Sequence, residues 1–181
     1  MSNFKNATVI AATAIAYFLL FQINSFLFSR LGYSEGVDWI YLPSGLRLVF
    51  VLIFVETGAI GIAIASSAIG LMYCCNGDAV TAVGAGAISG FAPWLARQTS
   101  LNLFELDVNL NRLTSSTLIK VAVLFSVFSP VMHQVWFSWR GQTQNFIGST
   151  AVMVIGDLAG TALVLYAAKL LLLAHRQART E

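Results

Sequence analysis

The chain alternates long charge-free stretches with short polar ones. Residues 7–28, 48–55, 57–77, 79–96, 121–132, 141–156 and 158–168 carry no charge. A bilayer core about 30 Å thick is crossed by roughly 20 apolar residues in a helix. The apolar runs here are continuous rather than alternating, which argues against a membrane barrel. The pattern therefore predicts an all-α, polytopic membrane bundle. The first span covers about residues 7–29, with Gln22 and Asn24 inside it, and the polar connector SRLGYSEGVDW follows. The block 44–75 is apolar except at Glu56-Thr57-Gly58. As one straight helix its 32 residues would measure about 48 Å, too long for one untilted crossing. It reads instead as a short helix over 44–55, a break, and a second helix over 58–75; the short one enters and leaves without having to cross fully. Further spans are expected at 79–96, about 117–138 and 145–173, with 97–116 as a polar connector and HRQARTE as the tail. The count is five or six spans, six being favoured, in a single integral membrane domain over 1–181.

Composition agrees with this class. The chain is 57% hydrophobic and 10% charged, against about 25% charged in soluble domains, so it has too little polar surface to cover a water-exposed globule. The net charge of +2 includes no basic tract that would suit nucleic acid. Cys74 and Cys75 are adjacent and show no metal or redox spacing; they read as small residues at a helix end. Lys5 followed by AATAIAYFLLF has the look of a signal peptide, but the apolar stretch runs on to Phe28 without a cleavage site, so a retained span is expected. Lys and Arg in short loops set orientation. Arg176, Arg179 and nearby Lys169 fall on one side with Arg97, Arg112 and Lys120, which makes that side cytoplasmic and leaves Arg140 opposite. Six spans then put Lys5 on the cytoplasmic side too, with both termini inside a bacterial inner membrane.

In the 97–116 connector Leu103, Leu106, Leu110 and Leu113 recur at helical spacing. They predict a short helix lying on the cytoplasmic membrane face or docking a partner.

Ionisable groups within spans are costly and usually face a bundle interior. Four qualify: Arg47, Glu56, His133 and Asp157. Asp157 lies eleven residues after Phe146 and twelve before Lys169, about 16–18 Å from either helix end. A lone carboxylate there needs a cation or several donors, and it reads either as a packing carboxylate or as a ligand, ion or proton site. Gly156 and Gly160 flank it in G-x-x-x-G spacing, which lets another helix come close; Gly86 and Gly90 repeat that spacing. Arg47 and Glu56 are nine positions apart, on opposite faces of a continuous helix and about 13 Å apart in rise, so they are poor partners. Arg47 with Asp157 is the better pairing, provided that the Pro43–Gly45 turn starts its helix below the membrane surface. With Ser44 as cap, Arg47 falls in the first helical turn, where the positive end of the dipole disfavours a cation. It needs an anion: a carboxylate, a lipid phosphate or a ligand. His133, after Pro130 in FSPVMHQVWFSW, reads as an interfacial hydrogen-bonder, with Trp136 and Trp139 marking the headgroup belt. No catalytic triad, metal-ligand spacing or phosphate-binding loop is present, so no enzyme activity, cofactor or metal is expected.

Two stretches carry a resemblance. WIYLPSGLRLVFVLIFVETGAIGIAIASSAIG resembles the opening of the bacterial membrane-associated sensor domain, the MASE family of the first type. WFSWRGQTQNFIGSTAVMVIGDLAGTALVLY resembles its closing segment, in which Gly-Asp-x-x-Gly opens the last helix. The likeness covers about two thirds of the chain. It implies a membrane-embedded sensory module, of a kind usually fused to kinase or cyclic-dinucleotide output domains. This chain has fewer spans than that family and ends seven residues after Ala174, so sensing would act through a separate protein. The expected function is thus a small inner-membrane sensor that binds a ligand or membrane partner without catalysis. A substrate-capture component of a transporter and an accessory subunit of a larger membrane complex are the alternatives. The expected surroundings are the lipid bilayer and a membrane protein partner or a second copy, with no nucleic acid. Arg47, Asp157, His133 and Glu56 are the candidate site, and Asp157→Asn is expected to abolish binding while leaving the fold intact.

Overall fold

The computed structural model describes residues 2–75, 77–111 and 113–177. Of the charges used above for orientation, Arg112 and Arg179 lie outside the described residues, as does the side chain of Arg176. The architecture is an all-α bundle. Five helices among the described residues are long and apolar enough to cross a bilayer: α1 (Ser2–Phe28), α2 (Pro43–Ile69), α3 (Ala79–Leu103), α4 (Ser115–Trp139) and α5 (Phe146–Gln177). Each apolar run closes into a helix because a hydrocarbon core offers no water to unpaired backbone groups. The polar connector after α1 forms a 3₁₀ turn (Ser29–Leu31) and a small antiparallel hairpin, β1 (Gly32–Ser34) with β2 (Val37–Asp38). Gly36, at φ 71, supplies the turn conformation. A π-helical turn, Gly70–Cys74, extends α2.

α2 reverses direction in its middle. Val55 has φ 49 and ψ −116, outside the helical region. A Cβ on Gly58 would come 2.6 Å from the Phe50 carbonyl oxygen, whereas eight residues along an unbroken helix span about 12 Å. Arg47 also lines the same cavity as Ser66 and Gly70, which a straight helix would place roughly 28–35 Å away. The break expected at residues 56–58 is therefore present, and it is a hairpin. Its N-terminal arm, residues 43–54, is about 18 Å long, little more than half a bilayer core.

This arm occupies the centre of the bundle. Val51 joins Tyr17, Phe21, Ile62, Ala65 and Ile69 in one apolar core. Leu48 joins Ala92, Ala96, Val121, Ala122 and Phe125 in another. The arm starts beside Asp157 and Thr161 of α5 and descends to the end where Val55, Arg97, Leu118 and Leu165 meet. The C-terminal arm climbs back with Gly61 against Ile10 and Thr13 of α1 and Gly70 against Ala82 of α3. The two arms of α2 thus run in opposite directions within the bundle. The first half of α1 and the second half of α5 lie at the same end as Val55.

A β-branched residue at positive φ is held there against its steric preference. Val55→Gly is expected to stabilise the protein by about 1 kcal/mol, because release of roughly 1–3 kcal/mol of backbone strain is offset in part by added chain entropy. Thermal melting in detergent checks this; a fall in Tm would refute the strain.

Two sequence expectations need correction. α3 does not stop at residue 96 but runs through Arg97 to Leu103. The leucine stripe does not form a helix beyond Leu103: Glu105 and Leu110 take positive φ, and residues 104–111 are turns and irregular backbone held by bonds such as Arg97 Nη2 to the Val108 carbonyl oxygen, 2.7 Å. At the opposite end Asp78 caps α3, accepting from the Val80 and Thr81 amides, the Thr81 hydroxyl and Arg140 Nη2. The Thr81 hydroxyl and then Arg140 pull its carboxyl down to about 2.

Candidate functional site

The local fold that builds the site begins at Tyr41-Leu42-Pro43. Proline at the first helical position starts the arm with its fixed φ and no amide to satisfy. Ser44 does not cap it; its hydroxyl lies 2.7 Å from the Asp157 carbonyl oxygen, 2.8 Å from that of Tyr41 and 3.1 Å from Thr161 Oγ1. Asn24 of α1 takes part of the capping role by accepting from the Leu42 amide at 2.9 Å. The arm therefore starts deep in the bundle, and the depth gap between Arg47 and Asp157 closes.

Arg47 and Asp157 are each 2% exposed. Arg47 Nη2 donates to both carboxylate oxygens at 3.0 Å. The guanidinium carbon sits 5.5 Å from the Tyr41 ring centre and 5.2 Å from that of Phe125, between two π faces. Tyr41 is anchored by a 3.0 Å hydroxyl contact with Tyr17. Arg47 Nε has no hydrogen-bond partner among the described residues and is a buried polar group with unused capacity.

Gly156 and Gly160 serve an approach different from the one expected. A Cβ on Gly156 would strike the Asp38 carbonyl oxygen, and one on Gly160 the Tyr41 carbonyl. The groove admits the non-helical backbone of residues 38–41 and the start of the arm at Leu42, and the Tyr41 amide donates to the Gly156 carbonyl at 3.1 Å. Non-helical backbone at this depth requires such burial against protein. Gly86 and Gly90 face Ala63, Ser67 and Ala59 of α2, so they bring two helices together.

His133 is buried, not interfacial. Its Nδ1 lies 2.8 Å from the Ser129 carbonyl oxygen, which can only accept, so Nδ1 carries the proton. In the neutral ring Nε2 then accepts from Ser89 at 3.1 Å, and Ser89 accepts from Ser66 at 2.8 Å. A directed chain of hydroxyls thus joins α2, α3 and α4.

These groups line one cavity of about 300 Å³, with Arg47 and Asp157 in its wall and Asp38, Tyr41, Ser66, Ser89 and His133 around it. Toward the hairpin end it shares Gly36, Cys74 and Phe137 with a polar vestibule of about 540 Å³. Burial raises the Asp38 carboxyl pKa above its usual range. Three of the four candidate residues are brought together. Glu56 is not among them: it is exposed at the reversal of α2, at the far end of the arm. Sequence reasoning missed Tyr41, Ser89 and Asp38 as site residues. Ser89 had a signal, since it lies between Gly86 and Gly90 on the small-residue face of α3; Asp38, in a loop, had none. Among the described residues no group of three or more His, Cys, Asp or Glu side chains is placed to hold a metal ion.

No protein-family model, curated protein or solved structure matches this chain.

Proposed function

We propose that the chain is a multi-pass protein of the bacterial inner membrane, with both termini cytoplasmic, that binds a small polar ligand in the Arg47–Asp157 cavity without catalysing a reaction. It would act as a sensory module of the MASE kind that its two motifs resemble. One observation carries the reading: a buried, aromatic-sandwiched ion pair lines a cavity that continues into a polar vestibule at one end of the bundle. Ligand pockets have this make-up, mostly apolar walls with a few convergent polar groups. Both G-x-x-x-G glycines of α5 are spent on seating the loop that forms its wall.

A substrate-capture role in transport is the second reading. It is supported by the half-length arm, whose N-terminus lies inside the bundle beside the cavity, as broken helices do at transporter substrate sites.

Replacing the pair by apolar residues of similar size, Arg47→Met with Asp157→Leu, preserves packing. Mass spectrometry of small molecules released from purified protein is expected to find a polar compound with the native chain and not with the double variant. Equal retention by both, or none by either, would overturn the reading. Loss of uptake of that compound on deletion of the gene selects transport over sensing.

A further inference from the structure

Arg97 is the second buried arginine of the bundle, 3% exposed, and no carboxylate among the described residues meets it. The ion pairs among the described residues are Arg47–Asp157 and Arg140–Asp78. Arg97 Nη2 donates to the Val108 carbonyl oxygen, and Nε has no partner among the described residues. The carboxylates of the neighbouring connector do not help: Asp107 is taken by the amide and side chain of Asn111, and Glu105 is exposed. A guanidinium stays charged in any protein environment, and a buried charge without a counter-ion is costly. An anion from outside the chain would meet that need.

The surroundings of Arg97 say what kind of anion. Its side chain lines a cavity of about 630 Å³ at the Val55 end of the bundle. Apart from Arg97 and Asn109 the walls are aliphatic, formed by Leu52, Ile53 and Leu110 with Leu118 and Leu165. A free inorganic ion would leave those walls unfilled. Ile53, in the same wall, is exposed, so the cavity is open along an apolar side. We propose that this cavity binds an anionic phospholipid, with its phosphate on Arg97 and an acyl chain along Leu52, Ile53, Leu118 and Leu165. The site is separate from the Arg47–Asp157 cavity and does not depend on the function proposed for it.

The test uses the full chain in nanodiscs containing phosphatidylglycerol and phosphatidylcholine in equal amounts, with retained lipid read by native mass spectrometry. The native protein is expected to keep phosphatidylglycerol in preference. Arg97→Gln, which removes the charge and keeps a polar side chain, should retain it about tenfold less, the loss expected for one charge-assisted contact. Leu118→Trp, which fills the cavity with Arg97 intact, should give a similar loss and decides the matter should Arg97→Gln fail to fold. The Arg47→Met, Asp157→Leu double variant should retain phosphatidylglycerol as the native protein does. Equal retention by native protein and both cavity variants overturns the proposal. So does thermal stabilisation by inorganic phosphate equal to that by phosphatidylglycerol, which would mark a free-anion site.

Discussion

Arg47→Ala and Asp157→Ala are each expected to destabilise the protein by about 3–5 kcal/mol, because each leaves its partner's charge buried and unpaired. The Arg47→Met, Asp157→Leu double variant is expected to recover most of that loss, since apolar residues of similar volume replace a buried pair at little net cost. Unfolding in mixed micelles across the four proteins gives the double-mutant cycle. Additive losses would show that the two residues act independently. The ion pair also revises one expectation drawn from sequence. Asp157→Asn keeps the shape of the carboxylate but strands a guanidinium held between two aromatic rings. It should therefore lower stability as well as ligand binding, and the apolar pair is the cleaner probe of binding.

Gly160→Ala is expected to be the most damaging single-methyl change on α5. The new Cβ would overlap the Tyr41 carbonyl and sit 2.8 Å from the Leu42 amide nitrogen. These are backbone atoms at the start of the central arm, so no side-chain rotation relieves the clash. Either α5 moves away, taking Asp157 from Arg47, or the extended stretch leaves its groove and its hydrogen bond to Gly156. Overpacking of this kind costs about 1–3 kcal/mol before the broken ion pair is counted. Ile155→Ala, five residues away and half-exposed, should stay within about 0.5 kcal/mol. Melting temperatures of the two variants in one detergent make the comparison; equal shifts would show that the groove is loose.

The fold was legible wherever apolar length alone decides the outcome. Charge-free runs became helices, and Glu56-Thr57-Gly58 marked the reversal within one residue of Val55. The Arg47–Asp157 pairing was legible by exclusion, since helical geometry rules out Glu56 and a sunken helix start removes the depth gap. Other features were hidden for identifiable reasons. G-x-x-x-G records that something approaches closely but not whether it is a helix or an extended strand, so the seat for residues 38–42 could not be distinguished. The leucine stripe at 103–113 has helical period, yet Arg97 holds the Val108 carbonyl and the chain turns instead. The true extent of α3 did leave a trace: Ala82, Ala85, Ser89, Ala92, Ala96 and Ser100 repeat at three- or four-residue steps, and all are buried. That stripe passes straight through Arg97 and ends four residues before the loop.

The central arm has a consequence for biogenesis. Its charge partner lies 110 residues downstream, and the acceptor for the Tyr41 amide is also on α5. A ribosome adding about 5–20 residues per second needs roughly 5–20 s to cover that distance. During that interval the Tyr41 amide lacks its acceptor and Arg47 its counter-ion, and hydrocarbon is a costly place for either. Full burial of the second segment is therefore expected only after α5 has been made, so that the two settle into the bundle together.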